Sequence, residues 1–258
     1  MCMDKEMSNH KSVSKAVKRE VELSDRLKAL ADMVTPGSRV CDVGCDHGYL
    51  SIYLVQKGIS PGVIAMDVRT GPLSRCTEHV MQYGLEQYIE QRLSDGLEAL
   101  HPKEADTMVC AGMGGRLMQS ILMRRQEVAR SFKELVLQPQ SELMAFREFL
   151  RSQGYRIVEE NMIEEEGKFY PMMKVIPGGT PLSCEDPLYD RFGELLLKES
   201  NPVLFRFLEY RKRVLWDIRK NMEDAGAGSL ESTGKQKKRL LEIEEELTDI
   251  ERAFTFYK

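Results

Sequence analysis

No run of about 18 apolar residues occurs in the 258-residue chain, so no membrane-spanning helix is expected. The first residues, Met1-Cys2-Met3-Asp4-Lys5-Glu6-Met7, contain no apolar core of a secretory signal, which leads to the expectation of a cytoplasmic protein. The six cysteines include no C-x-x-C pair; Cys41 and Cys45 are the nearest neighbours. They read as free thiols of a reducing compartment, with a zinc site as the alternative and no metal expected. Charge of one sign is also lacking. The chain carries 37 basic and 41 acidic residues, a net −4, which neither favours nor excludes a nucleic-acid partner. The distribution says more: residues 201–240 hold ten Lys/Arg against five Asp/Glu, and residues 241–258 hold two against six. Apolar residues make up 42%, enough to build a core, so wholesale disorder is excluded.

Residues 1–20 read as a polar, basic leader. Residues 24–34 read as a helix capped by Ser24 and stopped by Thr35-Pro36-Gly37-Ser38. From Arg39 short β-rich runs alternate with helical stretches. Strands are predicted at 39–43, 62–66, 88–92, 107–111 and 134–138, and helices near 49–57, 72–83, 114–125 and 141–153. This alternation implies an α/β fold, a parallel sheet with helices on both faces. Two further strands, 155–161 and 168–175, read as an antiparallel hairpin closing one edge. After the break at Pro177-Gly178-Gly179-Thr180-Pro181 everything is expected to be helical. Leu204, Leu208, Arg211, Leu215, Ile218 and Met222 form one near-heptad stripe; Leu240, Ile243, Leu247, Ile250 and Phe254 form another. Joined by the Gly/Ser-rich segment 226–234, they suggest an antiparallel helical hairpin packed on itself, with a dimer zipper as the alternative.

The strongest local pattern is Asp42-Val43-Gly44-Cys45-Asp46-His47-Gly48-Tyr49, where the first strand turns into a helix. It departs from the dinucleotide fingerprint G-x-G-x-x-G, because Asp46 takes the place where backbone must approach a pyrophosphate. A carboxylate there repels phosphate and suits a cationic or zwitterionic ligand such as S-adenosylmethionine. A plain structural turn is the competing reading. Asp67 ends the second strand, nineteen residues after Gly48, where an acid can accept both ribose hydroxyls of an adenosine. It could equally cap the following helix. Asp95-Gly96 follows the third strand and offers an acceptor for an adenine amine, or simply a β-turn. Ala111-Gly112-Met113-Gly114-Gly115 follows the fourth strand. The Asn/Asp-Pro-Pro-aromatic run of exocyclic-amine methylases is missing there, which argues against amine methylation. Gln138-Pro139-Gln140 faces the same crevice, and its amides could read a base edge or cap the next helix.

Together, DVGCDHGYLS, MDVRTGPL, SDGL, CAGMGG and LVLQPQ resemble the bacterial tRNA adenine-N1 methyltransferases that act on adenine 22, the TrmK family. The resemblance runs from about Leu23 through the C-terminal hairpin. Two departures are visible: Gly48 stands where the family often has Ala, and Gln140 where it often has Asn. The resemblance implies a Rossmann-like class I methyltransferase domain at 21–179, a helical extension at 180–258 that helps hold tRNA, and S-adenosylmethionine as donor. By position it assigns Asp42, Gly44, Asp46, Gly48, Asp67, Asp95, Gly96, Ala111 and Gly112 to the donor, and His47, Tyr49 and Met113 to the neighbourhood of the target base.

Adenine N1 already carries a free lone pair, so one in-line displacement needs no covalent intermediate and catalysis is chiefly positioning and charge balance. His47 could take the proton the cationic product must lose; Tyr49 could stack on the base. Extracting a stacked D-arm adenine costs a few kcal/mol. Phosphate contacts are expected from Arg26, Lys28, Arg116, Arg124 and Arg125, and on the hairpin from Arg206, Arg211, Lys212, Arg213, Lys235, Lys237, Lys238 and Arg239. A monomer is expected, with a homodimer left open. A methyltransferase with another acceptor and a non-catalytic cofactor- or RNA-binding protein are the competing readings, and donor-site residues do not separate them.

Overall fold

A computed structural model describes residues 20–224 and 234–258. The polar leader, apart from Glu20, and the joint 226–234, apart from Gly234, lie outside the described residues. Helix α1 (Asp25–Asp32) starts where the sequence marks it, with Ser24 Oγ accepting the Leu27 N–H. Then follow β1 (Val40–Val43), α2 (Tyr49–Gln56), β2 (Val63–Asp67), α3 (Thr70–Tyr83), β3 (Ile89–Leu93), β4 (Thr107–Met113), α4 (Gly115–Arg124), α5 (Gln126–Ser131), β5 (Glu134–Pro139) and α6 (Leu143–Ser152). The hairpin is β6 (Tyr155–Glu165) and β7 (Lys168–Pro177). Helices α7 (Pro187–Phe192), α8 (Glu194–Lys198), α9 (Pro202–Asp224) and α10 (Gly234–Ala253) complete the chain.

The strands form one seven-stranded sheet in the order β3-β2-β1-β4-β5-β7-β6. β1 to β5 pair parallel, and β7 runs antiparallel between β5 and β6. β1, β2 and β5 are buried along their whole length. Strands covered on both faces read as largely apolar runs, and these do; the buried exceptions Asp42, Glu134 and Gln138 are each hydrogen-bonded, to Ser51, Thr107 and Arg26. One apolar cluster, built around Phe146 and Leu150, packs α4, α5 and α6 on one face; another, around Leu30 and Ile52, packs α1, α2 and α3 on the other.

Two expectations need correction. The helix expected at 114–125 ends at Arg124, because Arg125 leaves helical geometry (φ −124°, ψ 54°) and its guanidinium bonds the Glu98 and Leu100 carbonyls; α5 then starts anew. The stretch after Pro177 is not helical throughout: it stays irregular until Asp186 accepts the Leu188 N–H and caps α7.

The C-terminal stripes are satisfied within the chain. Leu204, Leu208 and Leu215 of α9 and Ile243, Leu247 and Ile250 of α10 share one buried cluster with Met162 of β6. The helices run antiparallel: Arg211 makes a bidentate pair with Glu246 (2.5 and 2.9 Å), and Tyr257 Oη bonds the Asn201 carbonyl. Arg147 of α6 fastens this unit to the sheet. It is buried, bonds Glu160 of β6 at 2.9 Å and reaches the Asp190 carbonyl, while Glu160 also accepts the Leu195 N–H. Among the described residues no helix is long and apolar enough to cross a membrane.

Candidate active site

β1 neighbours β2 on one side and β4 on the other, so the strand order reverses there. The carboxyl ends of strands open a crevice at such a point. A cavity of about 540 Å³ occupies it. Gly44, Asp46, Asp67, Asp95, Gly96, Ala111, Gly112 and Met113 all line it. Five separate turns of the sequence thus meet in one place, since Gln140 lines it too.

The first turn is stitched to β2 by two hydrogen bonds, from the Gly44 and Cys45 N–H groups to the Met66 carbonyl (2.8 and 2.9 Å). Gly44 has φ +78°, and a Cβ there would lie 2.2 Å from Met113 Cε, so the methionine side chain lies directly across the bare backbone. Cys110 Sγ contacts Met113 Sδ at 3.6 Å from behind. Asp46 is left-handed (φ 49°), a conformation aspartate tolerates better than most residues.

Asp42, Gly48, His47 and Tyr49 are not part of the lining. Asp42 is buried one step down β1 and accepts Ser51 Oγ at 2.6 Å. Burial pushes its carboxyl up to about 6; the serine hydroxyl opposes this and the charge of Asp67 adds to it. Gly48 caps α2 with φ +76°, and a Cβ would meet Cys76 Sγ at 2.4 Å. His47 and Tyr49 face outward and join His79 of α3 in a trio of rings, with Tyr49 and His79 4.7 Å apart. His79 was not singled out by the sequence. Its Nδ1 donates to the His47 carbonyl (2.9 Å), which leaves Nε2 facing Tyr49 Oη at 3.4 Å. His47 remains tied to the cavity through its neighbour, with Nε2 3.6 Å from Asp46 Oδ2.

Asp67 is nearly buried, and its Oδ1 accepts the Arg69 N–H at 2.8 Å. Oδ2 has no protein partner among the described residues. Asp95 is held by a two-pronged bond from Arg124 (2.6 and 2.8 Å), which keeps its carboxyl below the ordinary range. Arg124 was expected to meet phosphate. Here it orients a lining carboxylate.

Beside Gly112 lie two donors. Its missing Cβ would be 3.6 Å from Gln140 Nε2 and 4.0 Å from Arg26 Nη1. Arg26, expected only as a phosphate contact, lines the cavity; it donates to Gln138 Oε1 at 2.8 Å and stacks over Tyr170 at 5.2 Å. Gln138 is fully buried with its amide spent on Arg26 and the Pro139 carbonyl, so of the two glutamines only Gln140 faces the cavity. Neither caps α6, whose first residue follows Glu142 with no side-chain cap. No sequence signal marked Arg26 as a site residue, because α1 reaches the cavity by packing on β6 and α2, elements removed from it in sequence. Of the other expected phosphate contacts, Lys28, Arg116, Arg125, Arg206, Arg211, Lys212 and Arg239 form ion pairs with Asp25, Glu142, Glu98, Glu164, Glu246, Glu251 and Glu242.

Residues 23–173 match the family model described as a methyltransferase domain. The tRNA (adenine(22)-N(1))-methyltransferase of Bacillus subtilis is 33% identical over 195 residues, which is 72% of this chain and 80% of that protein. The crystal structure of the B. subtilis m1A22 tRNA methyltransferase TrmK has a TM-score of 0.78 at 28% identity, covering 91% of this chain and 99% of the other. A Streptococcus pneumoniae relative, solved in complex with S-adenosyl-L-methionine, has a TM-score of 0.75 at 31% identity, covering 90% and 99%. Sheet order, the cavity at the strand reversal and these likenesses agree, and the chain belongs to the tRNA (adenine(22)-N(1))-methyltransferase family.

Proposed function

We infer that this protein is an S-adenosylmethionine-dependent enzyme that methylates N1 of adenine 22 in the D-arm of tRNA. The observation that carries the reading is the meeting of Asp46, Asp67 and Asp95, one from each of three successive βα turns, in a single cavity beside Gly112. The donor fits that lining. It has a sulfonium, an ammonium and no phosphate, and the turn that would cradle a pyrophosphate carries a carboxylate at Asp46. The free Oδ2 of Asp67 suits the ribose hydroxyls and Asp95 the adenine amine. Leu117 and Ile121 of α4 supply the apolar wall.

When bound, the donor supplies a methyl group activated by its sulfonium. The chain has to present adenine N1 to it and exclude competing water. We assign the acceptor side to Gly112, Met113, Arg26 and Gln140. Gly112 leaves room for a base to come close, and Gln140 and Arg26 offer hydrogen-bond donors at its edge. Adenine N1 already carries a free lone pair, so these two donors have only to orient the base toward the methyl group. His47 and Tyr49 lie outward of this spot, within reach of the flanking RNA. We assign donor binding to residues 21–179 and tRNA holding to 180–258, acting in the cytoplasm with the substrate.

Incubation with labelled S-adenosylmethionine and an unmodified tRNA transcript, followed by nucleoside mass spectrometry and primer extension, tests this. N1-methyladenosine at position 22, absent from a transcript with guanine there, is the expected result. Transfer to another position or to no tRNA, with the donor bound, overturns it.

A further inference from the structure

We propose that the exposed face of α9, built from Arg206, Tyr210, Arg213, Trp216 and Lys220, is a contact surface for RNA on which Trp216 stacks against an unpaired base. The proposal rests on the reading of the protein as a tRNA-binding enzyme and names the part of α9 that does the work.

Arg206, Arg213 and Lys220 are seven residues apart, which puts them within about 40° of one another around the helix and about 10 Å apart along it. The buried residues Leu204, Leu208 and Leu215 lie on the opposite side. Arg206 is paired with Glu164; Arg213 and Lys220 have no carboxylate partner among the described residues, although Glu209 and Asp217 are exposed on the same side. Two aromatic rings flank the row of cations. Tyr210 is 47% exposed and Trp216 is 50% exposed. Trp216 carries the Arg219 guanidinium 5.1 Å from its ring centre, with Arg219 in turn held by Glu223, and half of the residue remains uncovered. A large ring held by a cation and left open to solvent is a stacking platform, and basic residues around aromatic ones are the arrangement that grips single-stranded nucleic acid.

The face also continues from the active site. Gln140 lines both the donor cavity and a groove of about 570 Å³, and Tyr210 lines that same groove. Trp216 follows Tyr210 by six residues, about 9 Å along the axis. An RNA whose base enters beside Gly112 has a path along the groove onto this face.

Trp216 is the single tryptophan of the chain, so its emission reports this contact alone. The full-length protein is titrated with an unmodified tRNA transcript and with an unpaired oligoribonucleotide, recording fluorescence, acrylamide quenching and, separately, filter retention. Quenched emission and protection from acrylamide by both RNAs are expected. Trp216→Ala should raise KM for tRNA roughly 5- to 150-fold, the range of one base–aromatic stack. It should leave kcat and the donor KM unchanged, and Trp216→Phe should restore most of the loss. Retention of either RNA with no change in emission overturns the proposal. Emission that changes with protein concentration in the absence of RNA assigns the face to a second copy and overturns it equally. Quenching by the oligoribonucleotide without methylation of any tRNA keeps the stacking contact and removes the acceptor assignment.

Discussion

Gly48→Ala introduces the residue the family often carries at this position, yet here it should destabilise the protein unless Cys76 is changed with it. The added carbon would sit 2.4 Å from Cys76 Sγ and 3.3 Å from Cys76 Cβ, at a φ of +76°. Two costs add. A residue with a Cβ in the left-handed region costs about 1–2 kcal/mol, and forcing an extra carbon into a packed site about 1–3 kcal/mol. Cys76→Ala alone removes one buried sulfur, about 1 kcal/mol. In the double variant the alanine methyl takes the space the sulfur leaves, its nearest neighbour lies at 3.3 Å, and only the backbone cost of about 1–2 kcal/mol remains. The single variants should therefore sum to about 3–6 kcal/mol and the double variant should lose clearly less, a coupling of about 2–4 kcal/mol. Urea unfolding of the four proteins, followed by circular dichroism with m held common, measures it. Additive losses would show that Cys76 is not what requires glycine at 48, and would refute the argument.

Asp42 should make stability fall with rising pH. Its folded-state carboxyl sits at about 6 against an ordinary 3.8, so between those values the folded protein keeps a proton that the unfolded chain gives up. The loss develops from about pH 4 to pH 6 and amounts to about 3 kcal/mol. Asp42→Asn should remove it, and a stability difference between the two proteins that is flat from pH 4 to pH 7 would count against the buried charge. Asp95→Ala should weaken S-adenosylhomocysteine binding about 10- to 150-fold by calorimetry, whereas Arg124→Ala should weaken it less and leave the melting temperature unchanged, since that pair lies at the surface. Arg26→Ala strands the buried Gln138 amide and should cost about 1–3 kcal/mol of stability. Its effect on methyl transfer should fall on kcat and the tRNA KM with the donor affinity intact; an unchanged kcat would remove Arg26 from the acceptor side.

Much of the fold was legible because buried parallel strands and amphipathic helices write themselves as local patterns. The apolar runs at β1, β2 and β5, the Ser24 cap and the near-heptad stripes of α9 and α10 each depend on residues a few positions apart. The acids at strand ends were legible for the same reason: the turn after each strand is where a doubly wound sheet opens, and Asp46, Asp67 and Asp95 stand at those turns. What sequence could not decide is which side chains meet across long separations. The insertion of β7 between β5 and β6 depends on pairing two strands with a third, and hydrophobic alternation is silent on that order. The resemblance put His47 and Tyr49 near the target base, but no local pattern shows that α2 begins at Tyr49 and that both rings turn outward onto His79. Arg26 read as a phosphate contact, yet it reaches Gln138 across 112 positions and stands beside Gly112. The acids proposed for the donor could be read from the sequence alone, because Asp46, Asp67 and Asp95 stand in turns that each strand carries with it. The grouping proposed for the acceptor, with Arg26 of α1 and Gln140 after β5 beside Gly112 of β4, exists only once packing brings distant segments together.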